Sequence, residues 1–211
     1  MTLSAGSMNT KSVYLVLLIA VCLAACESRT GFDRRMQACS TAERNGQLAA
    51  AVQACEAALA IAEEGGYPPP LLSGVLYRLA RLQRQRAHFD VAEQLLTRSL
   101  AFEDQLGPRG APAPRLLELS LTLAGQNRWG EGAQYLERAL LLAGDLDTGQ
   151  RASLANILKH YSTQLGQAGE PELGARFAAG AAALGSQEPK QVAGEKPAGP
   201  AADPVSRPPV P

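Results

Sequence analysis

The sequence carries no excess of charge of either sign. Twenty Lys and Arg residues balance twenty Asp and Glu residues among 211. Proteins that bind nucleic acid normally have a basic excess, so that class is not expected. The balance also provides no general electrostatic attraction to anionic lipid. Removal of a leader up to residue 25 would take away Lys11 and leave a net charge of about −1.

Residues typical of catalytic and metal sites are equally scarce. His88 and His160 are the two His residues, and no HExxH motif or paired CxxC accompanies them. Neither is therefore expected to bind a metal. A GxSxG elbow and a Gly-rich phosphate loop are also missing. The sequence predicts a protein that is not an enzyme, with no catalytic residues, no metal site, no cofactor and no evident small-molecule substrate.

Long hydrophobic runs are absent as well. The run from Val13 to Ala25 has thirteen residues, whereas a helix that crosses a bilayer needs about 20. Because it follows Lys11, it is typical of a signal peptide core, and we predict a signal peptide at 1–25, with Met8 as a possible true start. The alternatives are an ordinary cleaved signal and a buried helix.

The run ends in Leu23-Ala24-Ala25-Cys26, which resembles the lipobox of bacterial lipoproteins. The resemblance implies that Cys26 receives diacylglycerol and becomes a triacylated first residue, followed by a tether over 26–32. Glu27 rather than Asp follows it, which by similarity to enterobacterial lipoproteins implies sorting to the outer membrane, facing the periplasm. The expected location is the bacterial cell envelope, with membrane attachment through the lipid.

Two cysteines remain after these assignments, Cys39 and Cys55. In an oxidising compartment such a pair is expected to form a disulfide if the two residues lie level on antiparallel helices. The bond would close a loop of about 16 residues. The alternative is two buried free thiols.

A helical hairpin pattern recurs four times along the chain. The stretch Leu71–Leu100 shows it most clearly, with two apolar-striped helices and a turn at Arg86–His88. A small residue marks the second helix of each copy and lets helices pack closely. The marks are Ala51, Ala92, Gly132 and Gly174, at intervals of 41, 40 and 42.

The long period, and the segment Leu95–Leu140 above all, resemble the tetratricopeptide repeat of the kinesin-light-chain type. The resemblance implies an all-α, right-handed superhelix of four hairpins over 33–185, in which stacked units close a continuous core. The family commonly has an Asn pair in the first helix of each unit. Here those places hold Tyr77 and Arg78, Leu117 and Glu118, and Lys159 and His160.

The end of the chain has a different composition. Seven of the 26 residues from Ser186 are Pro, and no apolar periodicity continues there. A segment of this kind buries too little apolar area to offset chain entropy, so we predict a disordered Pro-rich tail at 186–211.

In the fold that the resemblance implies, the first helix of each unit lines a concave face. Arg78, Arg81 and Arg84 recur there every three residues beside Tyr77. Guanidinium groups can hold a carboxylate through forked hydrogen bonds and stack on an extended peptide. The alternative is a solvated charged face. The residues predicted to bind a partner are Tyr77, Arg78, Arg81, Arg84, Leu117, Leu121, Asn156 and Lys159.

The functional prediction is a membrane-anchored periplasmic scaffold or adaptor that binds another envelope protein, in pilus or secretion assembly or in the recruitment of cell-wall enzymes. One alternative is a structural subunit of a larger envelope complex, held through its convex faces and unit ends, where the run Phe177–Leu184 provides part of an apolar surface on the last helix. Another is an accessory subunit of an enzyme.

Overall fold

The computed structural model describes residues 29–107 and 110–186. In these ranges the chain forms eight α-helices, paired as four hairpins that we call units one to four. The helices are α1 (29–44), α2 (Leu48–Glu64), α3 (Pro69–Gln85), α4 (Phe89–Leu106), α5 (Ala113–Gly125), α6 (Trp129–Leu141), α7 (Thr148–Gln167) and α8 (Pro171–Ser186). The predicted signal peptide, Cys26 and the tail from residue 187 lie outside the described residues.

Helix α1 begins at residue 29, four residues before the predicted start of the repeat domain at 33. Phe32 is only 6% exposed, and its ring centroid lies 5.1 Å from that of Tyr67. Burial of Phe32 against Tyr67 favours an extra helical turn at this end. The predicted tether over 26–32 is therefore wrong for its last four residues. At the other end α8 continues through Ser186, one residue beyond the predicted boundary.

The four hairpins reverse direction through the same turn. Its central residue has a positive φ angle, between 60° and 88°, at Gly46, Ala87, Asn127 and Gly169. The backbone N–H of the next residue donates to a carbonyl five residues earlier, at 2.9 Å in every unit. This hydrogen bond satisfies a carbonyl at the helix end and directs the chain back along the first helix.

The turn residues are spaced by 41, 40 and 42, the same intervals as the small-residue marks. Each mark lies five residues after its turn and is buried. A Cβ atom at Gly174 would meet the carbonyl of Ser162 on the paired helix at 2.8 Å, as hairpin packing requires. At Gly132 a Cβ would instead meet the hydroxyl of Tyr161, which belongs to the next unit. Both the hairpins and the contacts between units therefore need these small residues.

The core consists of two apolar clusters that overlap in the middle of the array. The first includes Leu76 and Leu96, and the second includes Leu116, Leu136 and Leu158, all fully buried. Burial of one such side chain contributes about 1.5–3 kcal/mol. No helix in the described part of the chain is long and apolar enough to span a bilayer.

Local signals position several helix ends. Pro69 and Pro70 occupy the first turn of α3, where a missing N–H costs nothing. Asp147 accepts from the N–H of Gln150 at 2.8 Å, and the Gln150 side chain accepts from the Asp147 N–H at 3.1 Å. This capping box starts α7.

A disulfide joins Cys39 on α1 to Cys55 on α2. The two Cα atoms are 5.3 Å apart, and both side chains are fully buried. The bond therefore ties the two helices of unit one together inside the first apolar cluster.

We predict that replacing both cysteines by Ala lowers the free energy of unfolding by about 3 kcal/mol, because the loop between them loses its closure. Urea denaturation of wild type with and without reductant would show the same loss, while the double variant would not respond to reductant. A wild type indifferent to reductant under unfolding conditions would contradict the bond.

We further predict that Ala87→Gly stabilises the protein by about 0.5–1 kcal/mol. Ala87 is exposed and has φ 60°, a conformation that penalises a Cβ atom but not glycine. Ala60, exposed within α2, provides the matched control, since Ala60→Gly should cost about 1 kcal/mol. Thermal denaturation measures both, and a loss of stability in both variants would contradict strain at Ala87.

Candidate partner-binding face

We call the surface formed by the first helices of the units, α1, α3, α5 and α7, the inner face. Helix α3 contacts α5, and α5 contacts α7, so first helices of neighbouring units lie side by side. The second helices mainly contact the first helices before and after them. The first helices therefore share one surface of the array, where a bound segment could contact several units.

Tyr77 lies on the inner face of unit two. Its ring is half-buried, with the guanidinium carbon of Arg115 at 4.9 Å and that of Arg81 at 5.9 Å from the ring centroid. Burial raises the pKa of the Tyr77 phenol, and the charge of Glu118 raises it further. The hydroxyl therefore stays protonated at neutral pH and can donate a hydrogen bond.

Arg115 connects this ring to a buried polar cluster. Its Nη2 lies 3.0 Å from Oε1 of Glu103, and the two side chains are 13% and 5% exposed. The Ser73 hydroxyl donates to Glu103 Oε1 at 2.5 Å, and the Ser99 hydroxyl donates to the Ser73 carbonyl at 2.9 Å. The Ala111 N–H donates to Glu103 Oε2 at 2.6 Å. The cluster joins α3, α4 and α5 through satisfied polar groups. No pattern in the sequence predicts this cluster, because its members come from three helices.

Two of the predicted arginines hold carboxylates of this chain. Arg78 donates from Nε and Nη2 to Oε2 of Glu43 at 2.8 and 2.6 Å, and Arg84 Nε donates to Oε1 of Glu118 at 2.5 Å. Their chemistry is the predicted one, but the carboxylates come from neighbouring first helices. Arg78 and Arg84 therefore join units instead of presenting free guanidinium groups to a partner.

The remaining predicted residues divide into buried and accessible ones. Leu117 is only 7% exposed and packs in the second apolar cluster, so its predicted place on the binding surface is wrong. Leu121 is half-buried, and Asn156 and Lys159 are exposed. Arg81 is half-buried and forms no ion pair with any described residue. The predicted surface thus reduces to accessible side chains on α3, α5 and α7.

The two histidines lie in different surroundings. His88 Nδ1 is 3.0 Å from Oε1 of Gln83 in the turn of unit two. His160 is exposed on α7, and its ring meets Trp129 edge-on with centroids 5.2 Å apart. Within residues 29–107 and 110–186 no group of His, Cys, Asp and Glu side chains could hold a metal ion.

Tyr161 attaches unit four to unit three. Its hydroxyl donates to the carbonyl of Ser120 at 2.6 Å, and its ring packs between those of Trp129 and Phe177, with centroids 5.1 and 6.3 Å away. Burial raises the pKa of the Tyr161 phenol above its usual value. The hydroxyl therefore remains protonated and a hydrogen-bond donor at neutral pH.

Charge is separated between the two sets of helices. Helices α1, α3, α5 and α7 together contain ten Lys and Arg residues against three Asp and Glu residues. Helices α2, α4, α6 and α8 contain three Arg residues against ten Asp and Glu residues. The neutral total hides this separation, which a count helix by helix would have found. The inner face therefore favours segments that carry carboxylates.

Solved structures share this arrangement of helices. BtubC (BKLC) from P. vanneervenii aligns with a TM-score of 0.63 and 19% identity over 83% of this chain and 70% of that one. The fold is tetratricopeptide-like. A putative kinesin light chain from P. anserina with nearly identical TPR-like repeats gives 0.57 and 16% over 73% and 74%, and a single-residue variant of that protein gives 0.58 and 16% over 72% and 74%.

No family model matches the sequence, and no curated protein matches it. The expected likeness to tetratricopeptide repeats of the kinesin-light-chain type is confirmed at the level of the fold. Identities of 16–19% extend the comparison no further than the fold.

The tetratricopeptide-like array should depend strongly on the buried Glu103–Arg115 pair. We predict that Glu103→Gln lowers the free energy of unfolding by about 3 kcal/mol, because it leaves Arg115 buried without a counter-charge. Chemical denaturation measures the loss.

Glu63→Gln is the matched control, since the Glu63–Arg98 pair is exposed and should be worth less than about 1 kcal/mol. Equal effects of the two substitutions would show that the buried cluster contributes no special stability.

Proposed function

We propose that this protein is a lipid-anchored scaffold of the bacterial envelope that binds an extended, carboxylate-bearing segment of another envelope protein on its inner face. The observation that carries the proposal is the unbalanced positive charge of the inner face. Arg81 has no carboxylate partner among the described residues, and Lys159 is exposed on a helix that contains no Asp or Glu. Such cations bind carboxylates that a partner supplies.

The side chains around Arg81 suit an extended segment. The half-buried Tyr77 offers a ring edge and a protonated hydroxyl beside the guanidinium group. Leu121 on the next first helix offers apolar contact, and Asn156 on α7 offers an amide for backbone groups. A few polar anchors on a mostly apolar support are typical of peptide recognition.

The location in the envelope rests on the sequence before residue 29. The apolar run that ends in Leu23-Ala24-Ala25-Cys26 supports lipid attachment at Cys26, and Glu27 supports an outer-membrane position facing the periplasm. The helical array would then begin within a few residues of the membrane surface. Pilus or secretion assembly and recruitment of cell-wall enzymes both need an adaptor of this kind.

One observation favours the alternative of a structural subunit. Helix α8 is the last helix among the described residues and contains no charged residue after Arg176. Ala178 and Ala182 are exposed there, at positions where the preceding unit has Leu136 and Leu140. A larger complex could use this end of the array instead of the inner face.

The test is capture from crosslinked envelopes with the full chain, comparing Arg81→Gln with Arg98→Gln. Both substitutions remove one guanidinium, but Arg98 lies on the second helix α4. We expect one dominant partner whose recovery falls at least fivefold in Arg81→Gln and stays at the wild-type level in Arg98→Gln, because only Arg81 faces the bound segment.

Cys26→Ser, which removes the lipid attachment site, serves as the localisation control and should release the protein from membranes. Recovery of a stoichiometric complex that is indifferent to Arg81→Gln would instead favour the structural subunit.

A further inference from the structure

Ion pairs between successive first helices form a ladder on the inner face. Glu43 and Arg84 each lie three residues before the turn residue of their unit. Arg78 and Glu118 each lie nine residues before theirs. Glu43 pairs with Arg78 across the first junction, and Arg84 pairs with Glu118 across the second. The same two repeat positions are thus used twice, with the charges exchanged.

At the third junction no ion pair joins the first helices α5 and α7 among the described residues, although Arg176 on α8 pairs with Glu137 on α6. The equivalent positions there are Ala124 on α5 and His160 on α7. Ala124 has no functional group, and Glu118, the one carboxylate of α5, already pairs with Arg84. Helix α7 contributes Lys159 and His160 to this region and contains no Asp or Glu. The cationic and hydrogen-bonding side of the pair is present and exposed, and the carboxylate is missing.

We infer that a carboxylate of the bound partner takes this vacant position, beside Ala124, and is held by the ammonium group of Lys159 and a ring N–H of His160. This subsite rests on the proposed function and adds to it a specific place for an acidic side chain. The partner thereby completes the ladder that the chain itself builds at the first two junctions. Lys159 and His160 are exposed, so the subsite needs no rearrangement of the core.

The positions of the free cations set the spacing of the acidic residues in the partner. Arg81 on α3 and Lys159 on α7 are two first helices apart. At about 8–10 Å between packed helix axes, the separation is about 16–20 Å. An extended chain covers that distance in about five or six residues. The partner segment therefore carries two carboxylates about five or six residues apart.

The test places a carboxylate of the chain itself at the vacant position. Ala124→Glu supplies an own-chain carboxylate at the place equivalent to Glu43. The probe is fluorescein-labelled decaglutamate, and its binding to the full chain is measured by anisotropy at low ionic strength. We expect Ala124→Glu to weaken binding about tenfold, because the added carboxylate competes for Lys159 and His160. Ala124→Gln, of equal size, should bind within twofold of wild type.

Two further variants separate the subsite from general electrostatics. Ala101→Glu changes the net charge equally on the exposed surface of α4 and should leave binding within about threefold. Lys159→Gln, at an exposed position, should weaken binding about fivefold whether or not Ala124→Glu folds. Equal losses in Ala124→Glu and Ala101→Glu, or wild-type binding by Lys159→Gln, would overturn the subsite.

The subsite and the scaffold function can fail separately. Capture of an envelope partner that depends on Arg81 but is unchanged by Ala124→Glu and Lys159→Gln would contradict the subsite and support the scaffold function. If no partner is captured by the wild-type chain from its own envelopes, the scaffold fails and the subsite, which rests on it, fails with it.

Discussion

The hydrogen bond that closes each turn, from the residue after the turn centre to a carbonyl five residues earlier, is the constraint on which the array depends. It occurs with the same length in all four units, so every hairpin reverses at the same place in its repeat. Equivalent residues of successive units therefore meet equivalent neighbours. The two ion pairs of the inner face, Glu43–Arg78 and Arg84–Glu118, follow from that alignment. An extra residue within a first helix, between its turn and its charged side chain, would rotate that side chain by about 100° around the helix.

The sequence predicts what is encoded locally. Apolar periodicity and small residues predict the hairpins and their period, and the same counting from the turn brings Cys39 level with Cys55. The predicted start of α1 was wrong because the observed start depends on a contact between residues distant in sequence, Phe32 and Tyr67. The prediction that Leu117 lies on the binding surface was wrong. The repeat template gives the position of an apolar residue in its helix but not the direction of its side chain. At the equivalent position Lys159 extends into solvent, while Leu117 turns into the core.

The side-chain partners on the inner face could not be predicted from the sequence. Three arginines at helical spacing predict carboxylate binding, but only the tertiary structure shows that carboxylates of this chain occupy Arg78 and Arg84. Ser99 on an otherwise apolar stripe was a local hint of a buried polar cluster, but its hydrogen-bond partners Ser73 and Arg115 lie on other helices. The charge separation was hidden by summation over the chain. It becomes visible only when first and second helices are counted apart.

Among the described residues, the disulfide and the ion pairs between first helices all lie in units one to three. Unit one contains the disulfide, first-helix ion pairs cross the first two junctions, and the buried Glu103–Arg115 pair crosses the second. Unit four is attached through Tyr161, its aromatic neighbours and an exposed ion pair between Arg176 and Glu137, while no ion pair joins α5 to α7 among the described residues. Polar groups that bind units together in the first half are therefore satisfied internally. Those on α7 remain exposed, because no neighbouring carboxylate reaches them. Accessible cations therefore lie in both halves of the inner face, Arg81 on α3 and Lys159 on α7, and a segment that contacts both spans the second and third junctions.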